Sequence, residues 1–464
     1  MPRVIAGSDH SGTCSTSGLR DPLTRRRLLS RTTKIAGAAA FGDLANASVG
    51  RAAGQPPVEA PAVRTSQFTD WGWPLPYEQI SAKSKQWLQS KGWWPLKGGW
   101  VVIWSGEEIV SSQFQAGKFL QSRGIESDWR GFVGAGYVNQ AFIPGRLELA
   151  TIGALGVLTL ISSRVPTLAV ATLSPALTHA AMVPLKSPLR SLADLKDAKV
   201  LRRPAVVGVT RGSTNDFAFI AAAHYLGLKP DHDYVVRSAP PGELAAGLPG
   251  FDVYTDWEPH VSYSTEILKV TRLLESLDPY YIYSGYFCMR RELHENVPDV
   301  VQALTDAYME VILWSRVHQR EAMGTVMRLP AYAHFDKGLL KKMSELYMFW
   351  PKPTVHYPFD DPNGIWPKEE SRISKWTYET GASRNLVTDL DWQKVRQPIY
   401  MDATFRKLGW KVPERPPFLP ANFGPIGQLP YAPYGARLLR GPVPFPAPGD
   451  LVRPWTFMGK TYRP

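Results

Sequence analysis

Gly212-Ser213-Thr214-Asn215 is the segment of this chain best suited to holding a ligand. It follows an apolar strand, Val206-Val207-Gly208-Val209, and opens a helix. That helix has an apolar side through Phe217, Phe219, Ile220, Ala223 and Leu226 and stops at Gly227. The first N–H groups of a helix have no intrahelical partner, and the positive end of its dipole lies behind them. Such an end accepts a carboxylate, sulfonate or phosphate. Taken alone, the four residues more often mark an ordinary capped helix start. A second strand, residues 252–255, brings Trp257 and Glu258 to the same rim. In open α/β sheets, ligands sit at the carboxyl ends of the strands, where both groups fall. The chemistry expected is binding: hydroxyls and amides for a headgroup, and an indole face for an apolar body.

Signals for catalysis are weak. Cys288 lies in an apolar run, Tyr283 to Met289, where a thiol is expected to be buried and inert. The His residues show no metal-ligand spacing such as HExxH, and no Cys cluster accompanies them. Gly134-Ala135-Gly136 lacks the third glycine and the acidic partner of a dinucleotide fingerprint. No GxSxG is present. No cofactor and no metal is expected.

The elements that must position the rim alternate along the chain. Strands are predicted at residues 101–104, 124–133, 147–152 and 168–172, with helices at 107–122, 139–144 and 153–162 between them. This rhythm means a mostly parallel sheet covered on both faces. The chain then crosses into a second α/β set that runs from residues 182–185 to 270–273. The run at 283–289 is predicted to return to the first sheet. An amphipathic helix at 297–316 follows, with further helices at 337–347, 368–378 and 391–408. Hinges belong where the chain crosses, near 173–182 and 281–285.

Both ends differ from this body. Thr24-Arg25-Arg26-Arg27-Leu28-Leu29 fits a twin-arginine export pattern, followed by a weakly apolar stretch and a small-x-small site, Ala45-Asn46-Ala47. The leader, residues 1–47, carries seven Lys/Arg against three Asp, so its removal takes the formal charge from +12 to near +8. The basic residues are dispersed, which suits solubility and mild anion steering and not nucleic-acid binding. Removing the leader also leaves Cys288 as the sole cysteine, so stability must come from a core and not from a disulfide. Residues 48–99 crowd Trp71, Trp73, Trp87, Trp93 and Trp94, more than a solvated linker would carry. From Val412 onward the chain is rich in Pro with interleaved aromatics, predicting an arm laid on the surface, with a partner-binding segment as the other reading.

Taken together, GRLELATIGA (residues 145–154), SLADLKDAKV (191–200), GVTRGST (208–214) and DVYTDWEPH (252–260) stand in an order that resembles a known group. These are the solute-binding proteins of ABC importers for nitrate, sulfonate and taurine. Glu148 stands where that group's motif usually has Asp. The resemblance covers about residues 100–408. It implies an α/β, two-lobed periplasmic-binding-protein type II fold, here with the export signal and the Pro-rich C-terminal extension added. Lobe 1 would take residues 100–175 and 285–408, lobe 2 residues 176–284, and the arm 409–464.

The resemblance also implies a ligand cleft lined by Trp104, Ser105, Gly106 and Glu107, by Gly153 and Ala154, and by Thr172 and Ser174. The facing lobe would supply Gly212, Ser213, Thr214, Asn215, Trp257 and Glu258. For Glu258, a buttressing salt bridge is the better expectation. Glu107 and Glu108 would resist a small inorganic anion if they line the cleft, and would favour the helix start if they do not. The implied role is capture of a small organic solute by hinge closure, as a monomer, at the periplasmic or extracellular face, for a membrane permease. An enzyme on the same fold and a ligand sensor are the alternatives.

Overall fold

A computed structural model describes residues 73, 75–101, 116–132, 134–173, 179–317, 322, 332, 335–343, 360–381, 383–408, 425–431, 455–457 and 460–462. The leader, residues 48–72, Trp104 to Glu107, Ser174 and most of the Pro-rich tail lie outside the described residues.

Two five-stranded sheets organise the body, and they share one plan. The first contains β1 (Leu96–Val101), β2 (Ser127–Phe132), β3 (Leu149–Gly153), β4 (Thr167–Leu173) and β10 (Gly285–Arg290), ordered β2-β1-β3-β10-β4. The second contains β5 (His179–Pro184), β6 (Ala205–Val209), β7 (Tyr234–Ser238), β8 (Val253–Trp257) and β9 (Thr271–Ser276), ordered β7-β6-β8-β5-β9. In each sheet the antiparallel strand is the one through which the chain arrives from the other sheet. β10 runs against β3 and β4, and β5 runs against β8 and β9. The expected mostly parallel sheets are present. The return of the 283–289 run to the first sheet is present as β10.

Burial explains the strand sequences. β3 (LATIG) and β10 (GYFCMR) are buried along their whole length, so they read as continuous apolar runs and not as alternations. Helices α1 (Ala82–Ser90), α2 (Ala116–Gln121), α3 (Ala135–Phe142) and α4 (Ala154–Ser162) attach to the first sheet. Helix α5 (Thr214–Tyr225) covers the second. The long α6 (Pro298–Val317) begins at a proline, whose fixed φ and missing N–H suit a first turn, and packs on α2. Among the described residues four more helices follow: Lys337–Met343, within the helix expected at 337–347, then α7 (Ile365–Glu379), α8 (Asp389–Val395) and α9 (Ile399–Lys407).

Several boundaries differ from the sequence reading, among them the helix expected at 139–144, which spans Ala135–Phe142, and two have a clear local cause. β1 begins at Leu96 and not at Val101, inside the segment assigned to the Trp-rich extension. Gly98-Gly99 looked like a strand boundary. Instead the Trp129 ring lies across Gly98, where any Cβ would collide with it, so glycine serves close packing inside the strand. The helix expected over 391–408 is two helices. Thr388 caps α8 with a reciprocal bond to Asp391, starting it early, and Pro398 ends its continuation, since Arg396 is already extended at ψ 124.

Candidate functional site

The site is built where two helix starts meet. Helix α4 leaves β3 of the first sheet through Gly153, and α5 leaves β6 of the second through Ser213. Neither helix has a side-chain cap on its N-terminal amides. The two ends are close: a Cβ placed on Gly153 would lie 3.3 Å from Thr214 Cγ2 and 3.3 Å from the Tyr283 ring. Two positive helix ends brought together form a place for negative charge, although α5 carries the Asp216 carboxylate in its own first turn, where it accepts from Gly212 N–H.

Not all of the expected donors remain available. Gly212 N–H donates to Asp216 Oδ2 (3.1 Å), and Ser213 N–H donates to Thr210 O (3.2 Å). The Ser213 hydroxyl also donates to Thr210 O (2.6 Å). At α4, Ala154 N–H donates to Ser284 O (2.9 Å). Asn215 points inward: its amide donates to Thr255 O (2.7 Å) and its carbonyl accepts from the Thr255 hydroxyl, tying α5 to β8. Thr214 Oγ1 pairs with His179 Nε2 at 3.1 Å. The donors left for a ligand are first-turn amides of α4 and α5, one step further along each helix than the sequence suggested.

Trp257 is the last residue of β8, 4% exposed, and its indole N–H is buried with no acceptor. Its ring lies 6.4 Å from that of His179, which in turn lies 5.6 Å from Tyr281 and 5.9 Å from Tyr283. Sequence reasoning missed these three rings. The Tyr-rich run at 280–286, on a crossover, was the signal that could have found the two tyrosines. His179 had none, since its neighbours only meet it in the fold.

The acids stand behind this donor surface. Glu258 accepts from Ser262 N–H (3.0 Å) and from the Ser262 hydroxyl (2.9 Å), hydrogen bonds to a neutral neighbour where a salt bridge was expected. Asp256 is fully buried and accepts from Trp257 N–H (2.9 Å); desolvation pushes its carboxyl well above the usual range. Asp278 accepts from His179 N–H (3.3 Å), and burial raises it to about 7. Neutral or engaged carboxyls of this kind repel an anion far less than free ones. Glu148, the acid of the GRLELATIGA motif, accepts from Lys97 N–H (2.7 Å) and ties β3 to β1, away from the helix ends. Thr172 is buried on β4, paired with Tyr286 across β10.

The reverse side of the crossover is fastened. Glu369 on α7 accepts from the Tyr431 hydroxyl (2.6 Å), from Arg372 (2.5 Å) and from Ile282 N–H (3.4 Å). Arg372 also donates to Tyr280 O (2.9 Å), and Tyr431 N–H donates to Pro279 O (2.7 Å). Beside it, Glu370 takes Arg396 (2.7 Å) and the Tyr286 hydroxyl. Trp376 of α7 meets Phe217 of α5 edge to face at 5.2 Å. Thus α7 touches the second lobe as well as the crossover, and one turn of the Pro-rich tail packs on both. Cys288 is fully buried in β10, and desolvation pushes its thiol up, the reverse of what a nucleophile needs. No group of three or more potential metal ligands occurs among the described residues.

Comparison with known proteins bears on the fold. No protein-family model matches the sequence, and no curated protein matches it. Solved structures do match. A periplasmic sulfonate-binding protein from Methylobacillus flagellatus KT aligns with TM-score 0.53 at 17% identity, covering 68% of this chain and 97% of that one. The periplasmic aliphatic sulphonate binding protein from Escherichia coli gives 0.52 at 16%, covering 65% and 92%. The periplasmic nitrate-binding protein from Synechocystis PCC 6803 gives 0.56 at 14%, covering 69% and 91%. The chain therefore has the two-lobed α/β fold of periplasmic binding proteins, with about a third of its length lying outside that shared body.

Proposed function

We propose that this chain is the substrate-binding component of an ABC importer and captures a small organic anion between its lobes. The observation that carries the reading is the meeting of two uncapped helix starts, at Gly153 and Ser213, beside the unpartnered Trp257 indole N–H. The free groups there are mainly donors, and Asp216, Glu258 and Asp278 accept from internal partners. The ring set of Trp257, Tyr281 and Tyr283 gives the organic part of a solute a surface to pack on.

Ligand bridging the lobes shifts an open population towards a closed one, and the closed form docks on a membrane permease. The solved proteins that share the fold are named for sulfonate and nitrate, which supports an anion as cargo. The twin-arginine leader supports export to the periplasm, and the receptor acts as a monomer. Among the described residues, no helix is long and apolar enough to cross a membrane. The test is mass spectrometry of whatever co-purifies with the exported protein, followed by calorimetry with that compound. A bound organic anion that leaves intact on dilution supports the receptor. A compound that is turned over would replace it with an enzyme.

A further inference from the structure

The Trp-rich segment ahead of the fold is not used by the cleft, and the structure divides its tryptophans into two kinds. Trp73 and Trp100 are buried in the first lobe. Trp87, Trp93 and Trp94 stay partly open on and just after α1. Lys85 Nζ lies 4.7 Å over the Trp94 ring, and Lys91 Nζ lies 5.3 Å over Trp87, which meets Trp93 edge to face at 5.5 Å. Lys83, Lys85 and Lys91 are all exposed. Between Glu78 and Glu107 the chain has no Asp or Glu, and Glu78 itself is engaged by Lys407 at 3.4 Å.

We propose that the face formed by Lys83, Lys85, Trp87, Lys91, Trp93 and Trp94 docks on an anionic phospholipid surface. The charge of the face complements acidic headgroups. Indoles flanked by lysines suit the headgroup layer, because the ring is apolar on its body and donates at its edge. The ring geometry separates this partner from a nucleic acid or a glycan. Those ligands stack on open ring faces, whereas here ammonium groups already cover the faces of Trp87 and Trp94. A headgroup layer needs only the ammonium groups and the ring edges. The face holds the receptor near the membrane that its permease would occupy, but its own binding does not depend on the cleft.

The test is co-sedimentation of the full chain, without its leader, with vesicles of phosphatidylcholine alone or containing about 30% phosphatidylglycerol. Binding is expected only to the acidic vesicles, with a blue shift of tryptophan fluorescence and a loss at high salt. The triple change Lys83→Glu, Lys85→Glu and Lys91→Glu is expected to weaken it about tenfold or more, with the circular dichroism spectrum unchanged. Trp94→Leu, which removes one indole, is expected to weaken it several-fold. Equal binding to neutral vesicles, no binding to either, or an unaffected triple variant would each overturn the proposal. So would retention on an acidic polysaccharide by a protein that ignores vesicles.

Discussion

The front and the back of the crossover differ in how their polar groups are shared. At the front, α4 and α5 present uncapped starts and Trp257 holds a buried N–H without an acceptor. At the back, Glu369 accepts from three groups on three separate segments. An unmet buried donor costs about 1–3 kcal/mol, so the front is stabilised by something that brings acceptors. At the back the Glu369 carboxylate is shared among internal donors, although Arg372 Nε and the Trp376 indole N–H there also lack an acceptor. On the proposed reading the difference separates two roles, affinity at the front and geometry at the back.

Breaking the back should cost most. Glu369→Ala removes the carboxylate shared by Arg372, Tyr431 and Ile282 N–H, and is expected to lower unfolding stability by roughly 3 kcal/mol or more. A loss below about 0.5 kcal/mol, which is the scale of an ordinary surface change, would show that the fastening is incidental. At the front, Trp257→Phe keeps an aromatic face and removes the N–H together with some buried volume. Affinity for the co-purified solute is expected to fall about tenfold, with a modest fall in melting temperature from the lost packing. If the melting temperature falls and affinity holds, the front is ordinary packing.

Asp278 sits between the two regions and gives a pH signature. Its folded pKa of about 7 lies above the ordinary Asp value, so the folded state favours the protonated form. Stability from that form is full below the unfolded pKa and is lost as pH rises through 7. Asp278→Asn should therefore gain on the order of 1–2 kcal/mol at pH 8 and nothing at pH 4, read by denaturant titration at each pH. Equal effects at both would mean that the carboxyl stays charged. The smallest expected effect is from Gly153→Ala. Its Cβ would meet Thr214 and Tyr283 at 3.3 Å, tighter than most real contacts, so the two helix starts are pushed apart. Affinity should fall a few-fold, with small-angle scattering showing a larger radius; a tighter-binding variant would mean that the two helix starts do not approach on closure.

Legibility in the sequence followed the range of the interactions. Periodicity placed the strand at 205–209, α5 and the returning strand β10, because burial of an element is written in its own residues. The start of β1 was missed because the partner that makes glycine necessary, Trp129, comes about thirty residues later. Gly212 and Asn215 were rightly seen at a helix start, yet their donors are consumed by Asp216 and Thr255. Residue type gave the capacity to bond, and only the fold chose the partner.

The sequence by itself determined the alternation of strands and helices, the crossing of the chain, and a glycine-led helix start able to face an anion. Those depend on local spacing and on which side chains avoid water. Tertiary structure alone decided that two such starts meet, that His179 and the tyrosines of the crossover join Trp257, and that the acids turn inward. It also decided that a turn of the Pro-rich tail, through Tyr431, packs behind the crossover. Such contacts join segments far apart in the chain, so their geometry is set by the packing of whole elements and is not encoded in any one stretch.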